Sequence, residues 1–240
     1  MIPVRDINPT HRRPVLTILI IAINVLVFLY EVMLPEQAQN ARFMEWGVVP
    51  YRIVNELDLA AAMTLITSMF MHGGWMHILS NMLYLLIFGD NVEDALGHAR
   101  YLIVYLACGV GAALAQVAVA PDSQVPAIGA SGAIAGMLGA YMVFYPTARV
   151  ESLVFFGFFA RLVSLPAVLV LGSWFVLQFF SGVASLGITQ TGGVAWFAHI
   201  GGFVLGLVVG GLCRLTGCQP RRLASGYQDP YSRYPRSYDR

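Results

Sequence analysis

Ser131 and His199 are the two side chains of this 240-residue chain whose types and surroundings point most directly to chemistry. Ser131 stands in Gly-Ala-Ser-Gly at the start of an apolar run, and His199 stands in Ala-His-Ile-Gly-Gly within another. Polar groups inside apolar spans are costly and are usually paired or functional. A serine hydroxyl is a weak nucleophile at neutral pH, but a neutral histidine can accept its proton and return it to a leaving amine. The two residues therefore predict a catalytic Ser-His dyad.

Ser131 and His199 also have ordinary structural explanations. On its four-residue string alone, Ser131 is more often a helix cap than a nucleophile. His199 alone is equally consistent with a hydrogen-bonded packing residue or a metal ligand. A helix amino terminus at Ser131 would nevertheless supply unpaired N–H groups and the positive end of a helix dipole, both of which suit an oxyanion.

Glycines recur every four residues in both apolar runs: Gly132 and Gly136 near the serine, and Gly202, Gly206 and Gly210 after the histidine. Small residues at this spacing let two helices approach closely. Such an approach would bring the short serine side chain within reach of the imidazole. Generic helix packing explains the glycines alone equally well.

His77 and Asn81 are four residues apart and share one helical face. Both can donate hydrogen bonds to a developing oxyanion, together with the N–H of Ser131. An interhelical hydrogen bond that only holds the helices together is the alternative. Apart from Glu31, every acidic residue lies in a loop, in a tail or in the cytoplasmic half of a span, so no carboxylate completes a triad.

A zinc site formed by His72, His77 and His199 is disfavoured, since their spacing is no zinc signature and no carboxylate shares their depth. We therefore expect no metal and no cofactor, and we assign His72 no catalytic role. The net charge of +1 offers no field that would attract nucleic acid.

Six apolar segments must position these residues. The chain is 58% hydrophobic and 11% charged, which is more apolar than a soluble core of this size requires. The segments are Pro14–Leu34, His77–Phe88, Tyr101–Ala120, Ser131–Tyr145, Ser164–Phe180 and Ala195–Leu215. Because backbone groups in a bilayer must bond internally, we predict an all-α, polytopic membrane protein of six transmembrane helices.

Arginine placement predicts how the six helices are oriented. An even number of spans puts both termini on one side, and arginines concentrate at the termini and in the connections after the second and fourth spans. The positive-inside rule then makes both termini cytoplasmic, in the plasma or inner membrane. His77, Asn81, Ser131 and His199 would all lie near the outer face, on helices two, four and six.

Three regions follow from this topology. Residues 1–13 form a cytoplasmic N-terminal segment, and residues 14–215 form the six-helix membrane domain. Its connection at about residues 35–75 is too long for a turn and predicts a structured outer loop. Residues 216–240 mix Pro, Ser, Tyr and Arg without apolar periodicity, which predicts a disordered basic cytoplasmic tail.

The ordered motifs resemble those of the rhomboid family of intramembrane serine proteases over about residues 63–210. They are HGGWMHILSN from His72 to Asn81, GASG around Ser131, and AHIGG around His199. The resemblance implies a six-helix rhomboid-like bundle in which Ser131 is the nucleophile, His199 the base, and Asn81 and His77 are the oxyanion donors. Trp174 and Gln178 look like the pattern of the family's fifth helix, which flanks substrate access. We assign Gly129 and Trp174 to substrate binding.

Two positions depart from the family pattern. Several bacterial members carry a Trp-Arg pair where this chain has Met63 and Thr64. The residue four after the nucleophile is often an aromatic that packs on the catalytic histidine, whereas here it is Ala135. Another side chain must therefore hold the ring of His199.

The resemblance implies hydrolysis of peptide bonds in or beside transmembrane segments, with membrane proteins as substrates, the lipid bilayer as surroundings, and no metal or nucleic acid. It leaves the oligomeric state open. One alternative is a catalytically silent relative that binds transmembrane segments for quality control or trafficking. Another is a six-helix transporter, which would predict polar residues near the midplane and repeated halves.

Overall fold

The computed structural model describes residues 1–157, 159–186 and 194–217. The described chain is predominantly helical. Its α-helices are α1 Val15–Val32, α2 Glu36–Trp46, α3 Pro50–Asn55, α4 Leu59–Thr67, α5 Trp75–Leu96, α6 His98–Val119, α7 Ser131–Phe144, α8 Ala167–Ser185 and α9 Trp196–Leu215. The predicted tail lies outside the described residues from residue 218 onward.

Four helices of the described part, α1, α6, α8 and α9, are long and apolar enough to cross a membrane. They coincide with four of the six predicted segments. Helix α5 is long but carries Asp90, Glu93 and Asp94 in its last two turns, and α7 has only 14 residues. The chain is thus a membrane protein by its apolar helices, while the membrane crossing of α5 and α7 stays a prediction.

Helix α7, which begins at Ser131, is buried from Gly132 to Tyr141. It packs against α5, α6 and α9, so protein surrounds most of its length. A Cβ atom built on Gly202 or Gly206 of α9 would overlap a carbonyl oxygen of α7. The close approach predicted from the glycine spacing is therefore confirmed, and the backbones of α7 and α9 touch directly.

The connection between α1 and α5, predicted to be structured, contains α2, α3, α4 and a 3-10 turn at Ser68–Phe70. Asp58 caps α4 by accepting a hydrogen bond from the N–H of Ala61 at 2.7 Å. Backbone bonds tie the connection to the segment before α7: Val48 pairs with Ala127 in both directions. Main-chain pairing therefore anchors the loop that contains Met63 and Thr64.

A three-stranded antiparallel sheet corrects the prediction of an all-α chain. Strand β1 (Ile2–Asp6) pairs with β2 (Arg149–Phe156), which pairs with β3 (Phe159–Pro166). Gly157, with φ of 61°, follows β2 at the turn. The fifth predicted span began at Ser164, but that residue belongs to β3 and α8 starts at Ala167. The end of β2 and much of β3 are apolar. A short apolar run cannot be distinguished by periodicity from the start of an apolar helix, so the two strands were not predicted.

The first residues of the chain are fastened to the C-terminal end of α5. The Glu93 carboxylate accepts hydrogen bonds from the N–H groups of Leu16 and Thr17 at 2.9 and 2.8 Å, which satisfies the amino terminus of α1. The Asp94 carboxylate accepts from the N–H groups of His11 and Arg12, each at 3.0 Å. These acidic residues thus hold structure at the end of the bundle opposite Ser131.

Candidate active site

Ser131 is the first residue of α7, and Ala130 occupies the cap position before it. The serine is therefore one position past the cap, and its hydroxyl lies at hydrogen-bonding distance from His199, which disfavours the helix-cap explanation of this residue. Its own N–H lies in the first turn, where N–H groups have no intrahelical acceptor. The serine therefore presents both a hydroxyl and a backbone donor at the positive end of a buried helix.

His199 lies in the first turn of α9 and contacts the serine directly. The distance from His199 Nε2 to Ser131 Oγ is 2.7 Å, which is hydrogen-bonding distance. Close contact between α7 and α9 makes this hydrogen bond possible. Gly132, the residue after the serine, lies against Gly202, which is about one turn after His199 in α9. The structure thus brings together the two residues that the sequence analysis singled out.

Gln178 of α8 binds the other ring nitrogen of His199. Its Oε1 lies 2.7 Å from His199 Nδ1. A carbonyl oxygen can only accept, so Nδ1 carries the hydrogen and Nε2 is left as the acceptor for the Ser131 hydroxyl. The hydrogen bonds then run from serine to histidine to glutamine, which is the protonation pattern that a general base requires.

Two tryptophans enclose the His199 ring. The Trp174 ring centroid is 5.9 Å away with a 34° interplanar angle, and the Trp196 centroid is 6.2 Å away with an 85° angle. Together with Gln178, the two tryptophans make the contacts with the His199 ring that the small side chain of Ala135 cannot make. The sequence analysis noted Trp174 and Gln178 as a pattern but missed their contact with the base. A lone glutamine in the apolar run of α8 was the available signal.

His77 and Asn81 lie on the other side of the serine motif, beside Gly129. A Cβ atom on Gly129 would lie 2.6 Å from His77 Nε2 and 3.7 Å from Asn81 Nδ2. His77 Nδ1 accepts a hydrogen bond from the N–H of Gly73 at 3.4 Å, so in the neutral ring Nε2 is the donor. The amide nitrogen of Asn81 is buried and has no partner among the described residues. Two donor groups therefore converge near the start of α7.

A cavity of about 30 Å³ adjoins Ser131, with room for a water molecule. Gly129, Gly132 and Ala198 are among the residues that line it. Gly129 has φ of 121°, a conformation that favours glycine. The absent side chain at Gly129 keeps open the space between the serine and the donors of His77 and Asn81. The substrate-binding roles assigned to Gly129 and Trp174 stay predictions.

His72 is fully buried, and its ring meets the ring of His77 edge-on at 5.0 Å. Its backbone N–H donates to the Glu31 carboxylate at 3.1 Å. Within the described residues, no group of three or more His, Cys, Asp or Glu side chains is arranged to hold a metal ion. The absence of a metal from the chemistry stays a prediction.

Comparison with known proteins gives similarity to one family. The Rhomboid domain matches residues 60–215, more than half of the chain. RHOMBOID-like protein 5 of Arabidopsis thaliana is 31% identical over 96 residues, covering 40% of this chain and 30% of that protein. RHOMBOID-like protein 4 of the same plant is 32% identical over 146 residues, covering 61% of this chain and 32% of that protein.

A bacterial relative carries a protease name. Rhomboid protease GluP of Bacillus subtilis is 30% identical over 130 residues, covering 54% of this chain and 24% of that protein. The chain therefore spans about a quarter to a third of the length of these three relatives. The domain match begins within α4 and runs to the end of α9, and it includes the serine, both site histidines, Asn81 and Gln178. The chain belongs to the rhomboid family.

Proposed function

We propose that this protein is an intramembrane serine endopeptidase that hydrolyses peptide bonds in or next to transmembrane segments of membrane proteins. The observation that carries the proposal is the 2.7 Å contact between His199 Nε2 and Ser131 Oγ, in a ring whose other nitrogen faces an acceptor. In this geometry the Nε2 lone pair points at the serine hydroxyl and can accept its proton. Membership of a family with a protease-named relative agrees with it.

In the first half of the reaction, Ser131 Oγ attacks the carbonyl carbon of the substrate while His199 Nε2 takes the hydroxyl proton. The carbonyl oxygen becomes an oxyanion. When the tetrahedral intermediate collapses, the C–N bond breaks and His199 gives its proton to the leaving amine. In the second half, a water molecule loses a proton to His199 and attacks the acyl carbon. The bond from that carbon to Ser131 Oγ then breaks, and His199 returns the proton to Oγ. No step requires a metal or a cofactor.

Three donors are available to the oxyanion: His77 Nε2, Asn81 Nδ2 and the N–H of Ser131. The Asn81 amide is buried without a partner in the described structure, which costs free energy unless the group serves a ligand. Donors fixed before the reaction stabilise the charge without reorganising, and each typically contributes a factor of about 10²–10³ to the rate. This supports oxyanion stabilisation for His77 and Asn81 over a purely structural role.

We further propose six transmembrane spans, with α5 and α7 as the second and fourth, and with both termini in the cytoplasm. The two described ends of the chain meet at one end of α7. Asp6 of β1 accepts a hydrogen bond from the Tyr141 hydroxyl at 2.7 Å, and Arg214 of α9 donates to the Val143 carbonyl at 3.1 Å. Arginine placement supports the cytoplasmic side, and the plasma or inner membrane is the proposed location.

Cleavage of a transmembrane substrate by the purified protein tests the function. Wild type should release fragments from a single-span membrane protein reconstituted in vesicles, and Ser131→Ala should release none. Ser185→Ala is a matched control, since that hydroxyl donates to the Gly182 carbonyl of its own helix at 2.7 Å. Cleavage by Ser131→Ala at the wild-type rate would refute the dyad. Binding of the segment without cleavage by wild type would favour the catalytically silent alternative.

A further inference from the structure

We propose that Gln178 is the positioning residue of the catalytic base, in the place that a carboxylate occupies in a Ser-His-Asp triad. Through its Oε1 it fixes His199 as the Nδ1–H tautomer and fixes the rotation of the ring. This inference rests on the proposed function and deepens it. Gln178 binds His199 and is not among the described residues that line the cavity beside Ser131, so it acts through the histidine.

The tautomer argument follows from the two hydrogen bonds of one ring. Neutral imidazole has one N–H donor and one acceptor nitrogen. With Oε1 of Gln178 at 2.7 Å from Nδ1 and Oγ of Ser131 at 2.7 Å from Nε2, a hydrogen on Nδ1 satisfies both contacts. A hydrogen on Nε2 would leave Nδ1 and Oε1 as two acceptors facing each other. Gln178 therefore disfavours the tautomer that cannot take the serine proton.

Four acidic side chains of the described structure bind groups other than His199. Glu31 accepts from the backbone of His72, and Glu93 and Asp94 hold the amino terminus of α1 and the residues before it. Asp6 binds Tyr141. The hydrogen-bond partner of His199 Nδ1 is the neutral amide of Gln178. A neutral acceptor orients the ring without placing a charge in an apolar bundle, where an ion is costly.

The position of Gln178 depends on how α8 packs against α9. Phe175 stacks on Phe203 with ring centroids 4.7 Å apart, and Trp174 lies against both Phe203 and the His199 ring. Nucleophile and base are on α7 and α9, whereas the acceptor that orients the base is on a third helix. Any displacement of α8 that separates Gln178 from α9 would free the imidazole to rotate and to change tautomer.

Substitution of Gln178 by leucine and by glutamate separates positioning from packing. Gln178→Leu keeps the approximate volume and removes the acceptor, whereas Gln178→Glu keeps an acceptor oxygen. Leu177→Met is the control, because Leu177 neighbours Gln178 but is 65% exposed on the outer face of α8. The readouts are kcat and KM for a transmembrane substrate, each as a function of pH.

We expect Gln178→Leu to lower kcat about tenfold to a hundredfold with KM within about twofold of wild type. The loss should be smaller than the ~10⁴ that follows when an amide imposes the wrong tautomer in a Ser-His-Asp triad, because leucine imposes neither tautomer. Gln178→Glu should recover most of the rate and move the acid limb of the kcat/KM profile to higher pH, since a carboxylate favours imidazolium. Leu177→Met should match wild type.

Nitrogen-15 NMR of histidine-labelled protein tests the contact independently of activity. Subtracting the spectrum of His199→Ala isolates His199, which should show a protonated Nδ1 and an unprotonated Nε2 in wild type. Gln178→Leu should show both tautomers. A wild-type kcat in Gln178→Leu, or an Nε2–H tautomer in wild type, would overturn the role of Gln178. Lack of Ser131-dependent cleavage by wild type would instead refute the proposed function, and the spectrum would still decide the contact.

Discussion

Gly206 of α9 lies against the backbone of Gly136 in α7, and its replacement by alanine should misalign the dyad from a distance. A Cβ atom at Gly206 would overlap the Gly136 carbonyl oxygen, and would lie 2.7 Å from the carbonyl carbon and 2.8 Å from Cα. Carbon atoms at an ordinary contact are about 3.5–4.0 Å apart. Since the obstacle is main chain and cannot rotate away, the two helices must separate locally by about 1 Å.

The consequence for the reaction follows from the 2.7 Å distance between His199 Nε2 and Ser131 Oγ. A misplacement of about 1 Å in a reacting group costs about 10²-fold in rate, so kcat of Gly206→Ala should fall about a hundredfold. Overpacking against backbone should also cost about 2–3 kcal/mol of stability, partly offset by about 1 kcal/mol from the better helix propensity of alanine.

Gly211→Ala is the matched control, because it lies on the same helix and a Cβ there would meet no atom of the described residues within 4 Å. It gains the same propensity without the clash. Thermal unfolding in detergent should therefore place Gly206→Ala roughly 5–10 °C below Gly211→Ala, with the rate difference measured on the same preparations. Equal melting temperatures and equal kcat for the two variants would refute the argument that backbone contact of α7 and α9 aligns the dyad.

Two further variants test the oxyanion donors and the N-terminal strand. Asn81→Ala should slow turnover by roughly tenfold to a thousandfold, because it removes an oxyanion donor. Thermal stability should change little, because the amide nitrogen has no partner to lose within the described structure. Full activity of this variant would show that Asn81 is only a packing residue. Burial raises the pKa of the Asp6 carboxyl from 3.8 to about 7. Its stabilising contribution is therefore complete below about pH 3.8 and is lost as pH rises through about 7. Asp6→Asn should lose less thermal stability than wild type between pH 5 and 8, and an equal loss would contradict this assignment.

The contact between Ser131 and His199 could be predicted because its causes are local in the sequence. Few polar residues stand inside the apolar runs, and the two runs that hold Ser131 and His199 carry glycines at a spacing of four. These features indicate both which side chains matter and why two helices can lie close enough for a short serine to reach an imidazole. The family resemblance also implied an aromatic residue where this chain has Ala135, and therefore that another side chain had to hold the ring of His199.

The sheet and the role of Gln178 could not be predicted because both depend on contacts far apart in the chain. Arg5 of β1 pairs with Glu151 of β2, which is 146 positions away in the chain. The residues around Arg5 show no pattern that predicts this distant partner. Gln178 lies 21 positions before His199 on another helix. Its contact depends on the rotation of α8 relative to α9, which the apolar surface of α8 does not specify.

The helices that carry the dyad and the helix that orients it are joined by different kinds of contact. Helices α7 and α9 meet backbone to backbone, at Gly206 and Gly136 among other positions, so the distance between nucleophile and base has little freedom. Helix α8 meets α9 through side chains such as Phe175 and Phe203, and these can change rotamer. A fault at Gly206 should therefore lower the rate by lengthening the Ser131–His199 contact. A substitution at Gln178 should leave the Ser131–His199 distance unchanged and alter the tautomer of His199. The two variants should therefore differ in the NMR spectrum of His199 even where their rates are equal.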